Sequence, residues 1–174
     1  EEVRYFILTS QYRSPLNYDE EHLQNARGAL TRFYTALRGL PQSEPAGGEA
    51  FSKRFHAAMD DDFNTPEALA VMFDMVREIN RLRQQELQQA GGLAAELRRL
   101  GAILGVLQGD PEDYLRAGSG GAAMDDRAIE ALIQQRIDAR EARQWAEADR
   151  IRDTLKDQGI QLEDGPGGTT WRRA

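Results

Sequence analysis

Asp60-Asp61-Asp62-Phe63-Asn64-Thr65-Pro66-Glu67 is a stop followed at once by a start. The three carboxylates close one helix and lead into the next. Thr65 before Pro66 supplies a hydroxyl cap, then a ring whose fixed φ suits the first helical position. Apolar residues recur at helical spacing on both sides. Phe51, Phe55 and Met59 share one face before the stop. Leu69, Met72, Phe73, Val76, Ile79 and Leu82 share one face after it. That period predicts two amphipathic helices joined by a tight turn.

The same reading spreads outward. Residues 42–48 are a loop, and Gly39 and Pro41 stop a long helix before it. That helix opens at Asp19, with Glu20 and Glu21 in its first turn, where acids suit the dipole. Its apolar stripe is Leu23, Ala26, Leu30, Phe33, Tyr34 and Leu37. Ser14-Pro15-Leu16-Asn17-Tyr18 is a turn, and Glu2–Leu8 the end of a helix. Beyond Leu82 the helix is expected to reach about Ala90, where Gly91-Gly92 breaks it. Leu93, Leu97, Leu100, Leu104 and Leu107 then mark another, interrupted by Gly101 and Gly105. Long amphipathic helices with short loops predict a mainly α chain built on an antiparallel bundle over residues 19–108. Residues 1–18 lead into it.

Residues 109–123 change character, and Gly118-Ser119-Gly120-Gly121 has the composition of a flexible linker. Residues 124–174 are then a small α+β unit. Asp126 starts a helix with Ile129, Leu132, Ile133 and Ile137 inward. The chain turns near Arg143-Gln144, and a second helix carries Trp145, Ala148, Ile151 and Leu155. Gly159 ends it. Ile160-Gln161-Leu162-Glu163 alternates like a strand, and Thr169-Thr170-Trp171-Arg172 returns as its hairpin partner.

Composition excludes several chemistries. The chain has 174 residues, 40% hydrophobic and 29% charged, with no cysteine. Disulfides and thiolate metal sites within it are therefore excluded. His22 and His56 are not paired at ligand spacing. The Asp60–Asp62 run lacks the alternate acids, central Gly and distal Glu of a calcium loop. No nucleophile stands in an elbow or triad context, and no glycine loop cradles phosphate. No catalytic or metal residue is expected here, nor a cofactor, a membrane span or a signal peptide. The chain opens without Met inside an apolar segment, and we read it as part of something longer. A cytoplasmic location fits.

The net charge of −7 argues against a sequence-blind DNA binder, which is usually basic. The end of the chain is nearer neutral. From Met124 onward 9 Lys/Arg face 11 Asp/Glu. Arg136, Arg140, Arg143, Arg150 and Arg152 crowd around Trp145, and Trp171-Arg172-Arg173 follows. Arginines offer forked donors to phosphates and base edges, and an aromatic face stacks an unpaired base. Asp149 lies four residues after Trp145, on the same helix face. A carboxylate beside a stacking platform accepts from base amino and imino groups, which phosphate contacts cannot replace. The alternative is a salt-bridged helical surface with Trp145 in the core, and a module that binds protein instead of RNA.

Three stretches together resemble the cysteinyl-tRNA synthetase family of bacterial type. They are Ser10-Gln11-Tyr12-Arg13-Ser14-Pro15-Leu16-Asn17-Tyr18, Ala58 through Leu69 around the Asp run, and the tail from Gly159-Ile160 to Trp171-Arg172-Arg173. Their order and spacing match across nearly the whole chain, as its C-terminal part. The resemblance implies a class I ligase that activates cysteine with ATP and transfers it to tRNA. Its catalytic domain, with a zinc ion for the thiol, would precede residue 1, so this chain alone would not aminoacylate. Residues 1–18 would connect to that domain, the bundle would follow the tRNA stem, and the unit from 124 would read the anticodon of cysteine tRNA. By the same resemblance Trp145 would stack on the first anticodon base. Arg140 and Asp149 would bond its edge, and Asp164 the next base. The turn departs from the pattern at Gly167, where relatives often carry a polar residue.

Overall fold

The computed structural model describes residues 1–117, 124–165 and 168–173. The expected linker glycines at 118–121 and the hairpin turn at 166–167 lie outside the described residues. The chain divides into two compact units, Glu1–Glu112 and Asp113–Ala174.

The first unit begins with α1 (Glu2–Leu8) and α2 (Glu20–Leu37). Arg27 of α2 grips the Glu2 carboxylate with Nε and Nη2 at 2.6 and 3.0 Å. Asp19 caps α2 as expected, its carboxylate accepting from the His22 N–H at 2.8 Å. Then come α3 (Glu49–Asp60) and α4 (Thr65–Arg83), joined at the acidic stop. The cap of α4 is Asn64, not Thr65: its side-chain oxygen accepts from the Glu67 N–H at 3.2 Å. Thr65 is already helical. Asn is at least as good an acceptor at that position as Thr, and the residue with the reach takes the role. Asp62 and Phe63 turn the chain in the left-handed region, at φ 54° and 53°.

The helix after α4 differs from expectation. Residues 84–86 break the chain, and α5 (Leu87–Leu104) runs straight through Gly91, Gly92 and Gly101. These glycines are contact points, not breakers. A Cβ on Gly91 would sit 2.8 Å from the Pro41 carbonyl oxygen, and one on Gly92 3.1 Å from the Ala46 Cβ. The loop after α2 lies directly on α5 there, and the Ala46 N–H bonds the Gly92 carbonyl at 3.1 Å. Gly101 is crowded by the Val106 carbonyl in the same way. Gly105, at φ 70°, does end the helix as a left-handed cap. The core of this unit is Leu30, Phe33, Tyr34, Phe55, Met72, Met75, Ile79, Leu93, Leu97 and Leu100. Phe33 and Phe73 stack at 4.4 Å between centroids. Residues 111–117, inside the stretch read as linker, form the short helix α6 (Pro111–Ala117), its start helped by Pro111 and by Asp110 accepting from the Glu112 N–H.

In the second unit α7 (Asp126–Glu141) and α8 (Trp145–Asp157) form an antiparallel pair. Strands β1 (Ile160–Gly165) and β2 (Gly168–Arg173) pair antiparallel, with Leu162 opposite Trp171 and Asp164 opposite Thr169. Ile129, Ile133, Ile151, Leu155, Ile160 and Trp171 make its core, flanked by Met124, Leu132, Ile137 and Leu162. The chain is thus mainly α, a helical bundle followed by two helices and a hairpin.

Candidate nucleic-acid interface

The turn between α7 and α8 sets the site. Arg143 sits at φ 58°, in the place a glycine usually takes after a helix. The Gln144 N–H bonds the Ala139 carbonyl at 2.8 Å, and the Arg143 N–H bonds the Arg140 carbonyl at 3.0 Å. This doubled closure reverses the chain within a few residues and makes Trp145 the first residue of α8.

Trp145 belongs to the apolar period of α8 in the sequence, yet it is not core. Ala148, Ile151 and Leu155 are buried, whereas Trp145 is 59% exposed. The other tryptophan takes the buried place. Trp171 is 3% exposed, with the guanidinium groups of Arg116 and Arg173 each 5.1 Å from its ring centre. Arg173 is in turn fixed by Asp126 at 2.8 Å. The tail Trp171-Arg172-Arg173 is therefore structural. Arg172 donates to Glu163 across the hairpin at 3.0 Å.

Of the four residues expected to read RNA, the structure joins two directly. Arg140 donates to an Asp164 carboxylate oxygen at 3.3 Å. Asp149 pairs with Arg152 at 3.2 Å, one turn along α8, and is well exposed. Among the described residues no hydrogen bond, ion pair or ring contact ties Trp145 to the other three; it stands one helical turn from Asp149.

Arg136 and Thr169 complete the cluster; the sequence reading counted Arg136 only among the arginines offered to RNA around Trp145, and gave Thr169 no role. Arg136 is buried, at 8% exposure, and grips both Asp164 oxygens, Nη1 to Oδ1 at 3.1 Å and Nη2 to Oδ2 at 2.9 Å. The Thr169 hydroxyl donates to Oδ1 at 2.6 Å. Arg136 beside it, then Thr169, hold the Asp164 carboxyl well below the usual carboxylate range, against the opposing effect of burial. The Arg136 guanidinium is pushed up by its bond to Asp164, and the charge of Asp149 adds to that. Asp149 is thus within electrostatic reach of Arg136. The sequence did carry a signal. Arg136 falls between Ile133 and Ile137 on the inward stripe, and a guanidinium there demands a partner.

The arrangement offers a bare aromatic face, two carboxylates and a half-exposed guanidinium on one small unit. Those groups can stack a base and bond its edge. Among the described residues no group of three His, Cys, Asp or Glu is placed to hold a metal ion. Nor, among the described residues, is any helix long and apolar enough to cross a membrane.

A helical bundle followed by such a unit is the architecture of a tRNA-synthetase anticodon-binding region, and two family models match in that order. The DALR domain matches residues 54–108, and the cysteinyl-tRNA ligase anticodon binding domain matches residues 126–172. The chain is 58% identical over 174 residues to the cysteine–tRNA ligase of Ectopseudomonas mendocina, covering 100% of this chain and 38% of that protein. It is 62% identical to that of Thioalkalivibrio sulfidiphilus, over 99% of this chain and 38% of that protein. It is 57% identical to that of Escherichia coli O1:K1, again over 99% and 38%. The chain belongs to the cysteinyl-tRNA ligase family, and it spans little more than a third of the length of these curated relatives. What it carries is tRNA-binding, anticodon-binding structure.

Proposed function

We propose that this chain is the part of a cysteine–tRNA ligase that selects cysteine tRNA by its anticodon. The observation that carries the reading is Trp145, held bare at the start of α8 beside Asp149 on an otherwise well-packed unit. Burying an aromatic ring is favourable, so a bare one calls for a ligand with a flat face. In this reading Trp145 stacks on the first anticodon base. Arg140 and Asp149 bond its edge, and Asp164 the next base. The bundle follows the stem of the same tRNA.

The rest of a protein of the relatives' length would attach cysteine to that tRNA with ATP, in the cytoplasm. ATP and zinc would belong to that rest. This chain has no cysteine to bind zinc as thiolate, and the parent's catalytic domain is the second partner the chain would have. Alone it would bind tRNA and aminoacylate nothing.

The test is equilibrium binding to cysteine tRNA, and to the same tRNA with its first two anticodon bases changed, at one moderate salt concentration. A preference of roughly tenfold or more for the unchanged anticodon is expected, since each lost base contact costs about 1–3 kcal/mol. Equal binding to both would overturn base reading by this chain. No binding to either would favour a protein-interaction module.

A further inference from the structure

The Asp164 carboxylate is already full. A carboxylate offers about four lone-pair sites, and four donors occupy them: Arg136 twice, Thr169 and Arg140. A base donor can bond it only by displacing one. The four are not equal. Arg136 is buried and uses both arms of its fork. Thr169 faces Asp164 across the hairpin and makes the shortest bond, 2.6 Å. Arg140 makes one bond, the longest at 3.3 Å, from a side chain 49% exposed. Displacing Arg136 would strand a buried cation, which is costly. Displacing Arg140 leaves the carboxylate neutralised by Arg136 and gives the freed guanidinium to solvent.

We infer that RNA binding exchanges one partner of Asp164: a base amino or imino group takes the place of Arg140, which turns to an acceptor on the RNA, while Arg136 and Thr169 keep the carboxylate aimed. Arg136 is then a positioning residue and Arg140 a latch. The exchange rests on the anticodon-reading proposal above and says how that site opens. It conserves hydrogen bonds. Asp164 gives up one guanidinium donor and gains a base donor, and Arg140 gives up a carboxylate and gains a phosphate or base-edge acceptor. The depressed titration of Asp164 fits a carboxylate that stays ionised throughout.

The whole chain is titrated with cysteine tRNA and with two variants, one changed at the first anticodon base and one at the second. The protein is unaltered, Arg136→Lys or Arg140→Gln. Lys keeps the charge of Arg136 but not its fork, so Asp164 is left poorly aimed. Arg136→Lys is expected to lose most discrimination at the second base, on the order of tenfold, while binding to the tRNA changed at that base holds. Arg140→Gln, an exposed change that leaves Asp164 three bonds, should keep its fold and its second-base discrimination and lose that at the first base. In parallel, arginine side-chain NMR signals are followed as RNA is added. Arg140 should shift and Arg136 should not. Second-base discrimination unchanged in Arg136→Lys, or an Arg140–Asp164 contact that persists in the complex, overturns the exchange alone. Failure of the unaltered chain to discriminate overturns anticodon reading, and the exchange with it. If Arg136→Lys does not fold, Arg140→Gln and the NMR shifts decide.

Discussion

Trp145 and Trp171 stand among arginines in the sequence, and only packing separates them. Trp171 faces Leu162 across the hairpin and closes the core of the small unit, whereas Trp145 starts α8 and overhangs it. Trp145, Ala148, Ile151 and Leu155 share one apolar period in the sequence. Packing takes up all but the first, because a side chain at a helix start has no turn before it to pack down upon. Trp145→Ala should therefore leave the melting temperature nearly unchanged, since exposed substitutions shift stability by about 0.5 kcal/mol or less. It should weaken tRNA binding by about 1–3 kcal/mol through lost stacking. Trp171→Ala should do the reverse, removing about 3–5 kcal/mol of stability and binding only as far as the fold is lost. Circular dichroism melts beside binding titrations separate the two. A Trp145→Ala chain that melts as early as Trp171→Ala would make Trp145 a structural residue. The charged cluster was legible in part for the same reason. Asp149 is legible from its spacing to Trp145, whereas Arg140 and Asp164 were singled out only by the family resemblance. The inward position of Arg136 asks for a partner, but that partner, like the role of Thr169, is set by a hairpin register that no local pattern announces.

Between helices, the sequence was read well at the cap of α2, one residue off at the cap of α4, and poorly at the glycines of α5. Asp19 caps α2 as expected, because its carboxylate reaches the backbone three residues on. Gly91-Gly92 looked like a break, since glycine costs a helix about 1 kcal/mol relative to alanine. The alternative meaning, close approach of another backbone, depends on the loop after α2, which is distant in sequence. The break at residues 84–86 carries neither glycine nor proline, so nothing local announced it. The two meanings of Gly91 predict opposite signs. Were it a mere weak point, Gly91→Ala would stabilise α5 by up to about 1 kcal/mol. A methyl group 2.8 Å from the Pro41 carbonyl oxygen must instead push the loop away. We expect Gly91→Ala to destabilise the first unit by about 1–3 kcal/mol, the usual cost of overpacking. Urea unfolding followed by circular dichroism gives the sign directly. A gain in stability would mean that the loop yields freely and does not need the glycine.

At the scale of the whole molecule, an acidic chain that binds RNA must present its few free cations well. The net charge is −7, and in the small unit most arginines are already paired with carboxylates of their own unit. Among the described residues of that unit Arg127, Arg143 and Lys156 have no ion pair. Affinity here should come from stacking and base-edge bonds more than from phosphate neutralisation, and salt dependence measures the balance. Each neutralised phosphate contributes about −0.7 to the slope of log K against log salt for unpaired RNA. Three free cations, with Arg140 joining them once released, give a slope of about −2 to −3 for an isolated anticodon stem-loop. Whole tRNA should give a steeper slope. The bundle adds Arg32 and Lys53, which carry no ion pair among the described residues, and Arg83 and Arg98, which donate only to backbone carbonyls. The two titrations, run on one preparation across the same salt range, test this division of labour. A stem-loop slope far steeper than −3 would mean that ion pairs besides Arg140–Asp164 open on binding. Equal slopes for stem-loop and whole tRNA would mean that the bundle takes no phosphate, and that the small unit alone carries the electrostatic part of recognition.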